Sequence, residues 1–263
     1  MDVLARNAVR VAGEGERALI FVHGFGCDSA MWSGVAPGFE ASHRVVLYDL
    51  TGSGASDLGA YDRTRHASLA GHAQDLIEIL EALELRDAVV VGHSVGANIA
   101  ILAARMAPER VGRVVLVAPT PSMLDDGDYP GSYAPEDIEE ILETLEANFL
   151  GWSAQMAPVI MGTEQPAPLQ ERLEASFCRN DPQIAKHFAH VTFHADVREE
   201  ARSVSQPTLV LQCTDDPIAP VAVGEWMRDN MPDATLSMIE IGGHCPHVSA
   251  PEETSDAIRA YLG

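Results

Sequence analysis

The chain has 263 residues, enough for one α/β domain with a well-buried core and short for two independent ones. Its 46% hydrophobic and 21% charged residues exclude a disordered chain. Seventeen Lys and Arg against 39 Asp and Glu give a net charge of −22; a surface this acidic repels phosphate backbones and anionic lipid, which argues against nucleic acid and membrane as partners. Cys27, Cys178, Cys213 and Cys245 are scattered without a C-x-x-C pair, so free thiols in a reducing compartment are expected. The start, Met-Asp-Val-Leu-Ala-Arg, has no basic region followed by an apolar run, and no stretch matches a membrane span. The expectation is a cytoplasmic protein.

In chain order, Val9–Val11 reads as an antiparallel edge strand. Ala18–Val22, Arg44–Tyr48, Ala88–Val91 and Arg113–Val117 are continuous apolar, β-branched runs, the pattern of strands buried on both faces. Between them, Leu69, Ala73, Leu76, Leu80 and Leu83 share one helical face, and Ala97–Met106 forms a second, small and apolar helix. From Pro119 to Pro207 the alternation stops. Helices are predicted over Pro135–Phe149, Trp152–Met161, Pro168–Cys178 and Pro182–His194, with Ile138, Ile141, Leu142, Leu145 and Phe149 on one face of the first. Strands resume at Thr208–Gln212 and Thr235–Ile241, and a last helix starts at Pro251-Glu252-Glu253, with proline at its first position and acids in its first turn. This alternation predicts an α/β fold, a mostly parallel sheet flanked by helices. Residues 1–119 and 207–263 form its core, and 120–206 form a helical cap over the strands' C-terminal edge, where open α/β sheets place ligands.

Gly92-His93-Ser94-Val95-Gly96 lies between a strand and a helix, the setting that holds a serine on a sharp turn at the top of a sheet. A nucleophilic serine needs a base, and the base an orienting acid. Just past the strand Thr208–Gln212 come Asp215 and Asp216; just past Thr235–Ile241 come Gly242-Gly243-His244. The order Ser, acid, His and the strand-end placement fit Ser94 as nucleophile and His244 as base. His247 is the competing histidine, and spacing leaves Asp215 and Asp216 both open as the acid. An oxyanion hole needs two backbone N–H donors. Val95, after the serine, supplies one and Phe25, in His23-Gly24-Phe25-Gly26-Cys27, the other. His23 is expected to brace that loop and His93 to pack.

Other motifs carry less. Asp49-Leu50-Thr51-Gly52-Ser53-Gly54-Ala55-Ser56-Asp57 has neither Gly-Lys-Ser/Thr nor G-x-G-x-x-G, so it reads as a structural turn and not a phosphate loop. His187, His190 and His194 have helical spacing but lack a fourth ligand and the H-E-x-x-H pattern, so no metal site is assigned. The chemistry needs no organic cofactor.

Several segments together resemble a known family: Gly24-Phe25-Gly26-Cys27-Asp28, Gly52-Ser53-Gly54-Ala55-Ser56-Asp57-Leu58, Asn148-Phe149-Leu150-Gly151-Trp152, Phe177-Cys178, Leu211-Gln212-Cys213 and Gly243-His244-Cys245-Pro246-His247. With the serine motif they resemble the RsbQ-like α/β-hydrolases, bacterial stress-signalling hydrolases grouped with the plant strigolactone and karrikin receptor hydrolases. The resemblance runs nearly end to end. It implies an α/β-hydrolase fold with a four-helix cap inserted after the sixth strand, and its register from Gln212 to Pro220 selects Asp216 as the triad acid. It implies a deep apolar pocket, with Phe25, Tyr133, Trp152, Met156, Phe177 and Phe193 as candidate lining residues. The implied activity is cleavage of a small apolar ester or lactone through an acyl-enzyme. Alternatives are slow-turnover signalling through a PAS-domain phosphatase partner, or carbon–carbon bond hydrolysis or cofactor-free perhydrolysis with the same residues. Dehalogenase and epoxide hydrolase chemistry would want an aspartate where Ser94 stands. His23 departs from the RsbQ sequence, which lacks a histidine there.

Overall fold

Seven strands form one sheet in the order β1-β3-β2-β4-β5-β6-β7. In the computed structural model, which describes residues 2–263, these are β1 (Arg10–Ala12), β2 (Ala18–Val22), β3 (Arg44–Leu47), β4 (Ala88–His93), β5 (Val111–Val117), β6 (Thr208–Asp215) and β7 (Ala234–Gly242). The short edge strand β1 runs antiparallel to β3, and all other pairings are parallel. Strand alternation divides the interior in two. Ile20, Val22, Val46, Val90, Val114 and Leu116 pack on one face against α1 (Leu69–Ala82) and α2 (Val95–Met106). Leu19, Phe21, Val45, Val89, Val115 and Val117 pack on the other against Trp32, Phe39 and Ile258. A parallel sheet must bury both faces because its crossover connections cover them, which is why the buried stretches of these strands are apolar at consecutive positions.

Between β5 and β6 lie α3 (Pro135–Ala147), α4 (Phe149–Met161), α5 (Ala167–Cys178) and α6 (Pro182–Phe193). Asn148 separates α3 from α4 by accepting the Gly151 N–H with its side chain, so the second helix starts at Phe149, ahead of the expected Trp152. Asp181 caps α6 through the N–H groups of Gln183 and Ile184. The apolar faces of these helices form a third cluster, with Ile138, Leu142, Leu145, Trp152, Met161, Leu173 and Phe177 buried against Cys27, Ile218 and Cys245 from loops beyond β2, β6 and β7. The helical insert therefore packs over the C-terminal edge of the sheet.

The insert follows the fifth strand and not a sixth. Ahead of β1 the chain forms a helical turn, Val3–Arg6, capped by Asp2, and there is no further strand among the described residues there. Two helices complete the layers, α7 (Val221–Asn230) and α8 (Pro251–Leu262). The first went unread in the sequence because its buried set, Val223, Gly224, Trp226 and Met227, is short and interrupted by glycine. Among the described residues no helix is long and apolar enough to cross a membrane.

Candidate active site

The turn at Ser94 is tight and sits at the edge of the sheet. Ser94 takes φ 54° and ψ −123°, a left-handed backbone that a side-chain-bearing residue adopts only under constraint. Its N–H donates to Val117 O at 3.0 Å, holding the turn to the end of β5. The flanking glycines are dictated by space: a Cβ on Gly92 would lie 2.2 Å from Gly96 O, and one on Gly96 would lie 2.6 Å from the carbonyls of Val22 and His23. Strand and helix meet this closely only without side chains, and the result lifts Ser94 to the edge at the N-terminus of α2, where negative charge is favoured.

His244 and Asp216 converge on the same edge. The pairing of β6 with β7 slips between Cys213 and Asp215, and such a bulge re-aims the residues that follow it. Asp215 ends exposed, while Asp216 is buried and faces His244. His244 Nδ1 lies 2.8 Å from Asp216 Oδ2 and 3.1 Å from Oδ1. Asp216 Oδ1 also accepts the N–H groups of Ile218 at 2.8 Å and Ala219 at 3.0 Å, so the carboxylate has one fixed orientation. A carboxylate accepts only, so Nδ1 carries the proton and Nε2 presents its lone pair. That Nε2 is buried, has no partner among the described residues, and belongs to a ring lining one cavity with Ser94. The His244 N–H donates to Ile160 O at 2.7 Å, tying this loop to α4 of the insert.

The N–H groups of Phe25 and Val95 make no hydrogen bond among the described residues. The Phe25 ring lies 6.2 Å from Trp152 and from Phe177, and 6.4 Å from Phe193, joining the loop after β2 to three insert helices. The cavity above Ser94 measures about 50 Å³, and Phe25, Tyr133, Trp152, Met156, Phe177 and Phe193 all line it. Met123, Ile141, Ile160, Leu173, Thr192 and Ile218 line it too and were not anticipated. Ile141 was legible on the apolar face of its helix; for the rest, periodicity does not say which buried side chain borders an empty space.

The remaining histidines are structural by their contacts. His23 Nε2 accepts the Leu50 N–H at 3.0 Å and Nδ1 donates to Gly24 O at 2.9 Å, bracing the loop that carries Phe25. His93 Nε2 donates to His244 O at 2.8 Å, and its ring packs at a tilt with its centroid 4.2 Å from that of His247, which lies 4.4 Å from Trp32. Burial lowers the pKa of His93 and holds His247 at about 3, so both stay neutral. Burial raises Cys27 to about 12 and pushes Cys245 up as well, which removes both as thiolate nucleophiles. In the glycine-rich turn, Ser56 Oγ accepts the N–H groups of Gly52 and Ser53, closing the loop on itself. His187, His190 and His194 pair separately with Tyr61, Glu146 and Glu139. Among the described residues only His66, His72 and Asp75 gather as three ligand-type groups. Asp75 is already bound by Arg6, Arg65, His66 and Thr51, and two guanidinium groups at 2.9 Å and 2.6 Å occupy the place of a cation.

A family profile described as alpha/beta hydrolase family matches residues 19–257. The chain belongs to the alpha/beta hydrolase family. A strigolactone esterase of Arabidopsis thaliana is 33% identical over 262 residues, covering 99% of this chain and 98% of its own. A karrikin-insensitive-2 receptor of Petunia hybrida is 30% identical, covering 97% and 93%. The solved structure of a hydrolase from Oleispira antarctica superposes with a TM-score of 0.96 at 35% identity, over 99% of this chain and 96% of that one. The resemblance to strigolactone and karrikin hydrolases thus extends over essentially the whole of this alpha/beta hydrolase.

Proposed function

We propose that this alpha/beta hydrolase is an esterase or lactonase acting on small apolar substrates through Ser94, His244 and Asp216. The observation that carries the reading is the pairing of His244 Nδ1 with the doubly anchored Asp216, which leaves Nε2 buried and without a partner among the described residues, on a ring that lines one cavity with Ser94. His244 Nε2 takes the proton of Ser94 as Oγ attacks the carbonyl carbon. Asp216 holds the imidazole tautomer and stabilises the imidazolium that forms. The uncommitted N–H groups of Phe25 and Val95 receive the oxyanion. His244 then protonates the leaving alcohol, and water activated by the same nitrogen releases the acid.

Residues 120–206 act as a lid on a core of 1–119 and 207–263. The aromatic contacts of Phe25 with that lid support this, because they make the cavity roof. A cavity of about 50 Å³ holds only a few water-sized groups, which favours short acyl chains. The relatives named as esterases support an ester substrate and do not bear on a phosphatase partner. The likeness of this chain to a karrikin-insensitive-2 receptor favours a second reading, in which slow turnover serves ligand perception; the turnover number separates the two. Incubating Ser94→Ala and the natural protein with p-nitrophenyl butyrate tests the site. Loss of turnover together with loss of a mass-detected acyl adduct is expected, and wild-type rates from Ser94→Ala would sink the assignment.

A further inference from the structure

Thr192, the penultimate residue of α6, is 5% exposed and lines the cavity over Ser94, yet its Oγ1 has no hydrogen-bond partner among the described residues. A helical threonine has a ready acceptor in the carbonyl four residues before it. Elsewhere this chain uses that bond repeatedly: Thr144 to Glu140 O at 2.8 Å, Ser153 to Phe149 O at 2.8 Å, Ser203 to Glu199 O at 2.6 Å and Thr254 to Ala250 O at 2.8 Å. Thr192 forgoes it with Phe188 O and leaves a buried hydroxyl unsatisfied, which disfavours the folded state unless something binds there. The cavity also holds the polar side chains of Tyr133, His93, Ser94 and His244, but none of them bonds Thr192 Oγ1, and Met123, Ile141, Leu173 and Phe193 offer it no oxygen or nitrogen acceptor.

We propose that Thr192 is a substrate-positioning residue whose hydroxyl bonds an oxygen of the substrate other than those of the scissile ester. This rests on the Ser94 reading and deepens it: the preferred substrates are small esters or lactones carrying an additional ether, carbonyl or hydroxyl oxygen. A site built to bond such an oxygen discriminates against the analogue with a methylene in its place, because the buried hydroxyl then stays unpaired. The stored cost is released only by a ligand, in keeping with polar groups retained at sites at the expense of stability.

The test compares the natural protein with Thr192→Val, which keeps the shape and removes the hydroxyl, and with Thr192→Ser, which restores it. Paired esters differ only by oxygen for methylene: p-nitrophenyl 3-methoxypropionate against valerate on the acyl side, and 2-methoxyethyl against butyl butyrate on the alcohol side. Thr192→Val is expected to lower kcat/KM about 5- to 10-fold for the oxygen-bearing member of at least one pair. The methylene partner should change less than twofold, Thr192→Ser should recover the oxygen preference, and Tm of Thr192→Val should rise by about 2–4 °C. Equal effects on both members of both pairs, or a fall in Tm, would overturn the proposal. Hydrolysis persisting in Ser94→Ala would instead overturn the underlying reading of the site.

Discussion

Replacing Asp216 by asparagine tests the site where its geometry is most constrained. The Ile218 and Ala219 N–H groups both donate to Asp216 Oδ1, at 2.8 Å and 3.0 Å. An asparagine in the same place keeps its carbonyl oxygen under those two donors and so puts its NH₂ where Oδ2 stood, 2.8 Å from His244 Nδ1. Two donors cannot face each other at that distance. Nδ1 must give up its proton and become the acceptor, and the proton moves to Nε2, the nitrogen that has to accept from Ser94. The fold tolerates the change, since shape and backbone bonds persist, but the base is in the wrong tautomer. The expected loss in kcat is about 10⁴-fold, or about 5.5 kcal/mol of barrier. Stopped-assay hydrolysis of p-nitrophenyl butyrate measures it, with a thermal melt to show that the variant is folded. Asp215→Asn is the internal control: that side chain is exposed and makes no bond to His244, so kcat should stay within about twofold. If Asp216→Asn keeps more than a tenth of the activity, or if Asp215→Asn loses more, the tautomer argument is wrong.

Three further outcomes follow from the same contacts. Ser94→Gly removes the nucleophile and relieves the left-handed backbone at φ 54°, so an inactive protein about 1 kcal/mol more stable is expected; a lower urea midpoint would contradict the strain. His72 and His247 are held at about 3 by burial against an unfolded value near 6.5. The unfolded chain therefore binds more protons between those values, and stability is full above about pH 6.5 and falls toward pH 3 by up to about 1.4 kcal/mol per unit for each histidine. Urea titrations at pH 7, 5.5 and 4.5 measure the slope, which His72→Phe should reduce; an unchanged slope would show that His72 does not titrate there. Phe177, fully buried between Phe25 and Trp152, should cost about 3–5 kcal/mol on truncation to alanine while widening the acyl chains accepted; an unaltered chain-length profile would place it outside the acyl site.

Sequence alone determined the strands, because a sheet buried on both faces demands unbroken apolar, β-branched runs, and Ala18–Val22 and Ala88–Val91 have no other use. It determined the turn at Ser94 as well, since two small residues flanking a serine between strand and helix record a local steric need. The edges of elements were less legible: β6 runs on to Asp215 and α4 starts at Phe149, because ladder pairing with β7 and the cap by Asn148 are contacts that periodicity does not encode. Spacing left both aspartates open and the resemblance selected Asp216, but only tertiary structure supplies the physical reason that it is Asp216 that meets His244. Asp215 and Asp216 are chemically equal and adjacent; a bulge in the pairing of two strands sends one to solvent and the other beneath an imidazole. The outline of the cavity was only partly legible: the resemblance named six residues that line it and missed others, Thr192 among them. An empty space belongs to no segment, so Thr192 reads as an ordinary helical residue until the insert helices and the loops at the sheet edge enclose the cavity that it lines with its hydroxyl unpaired.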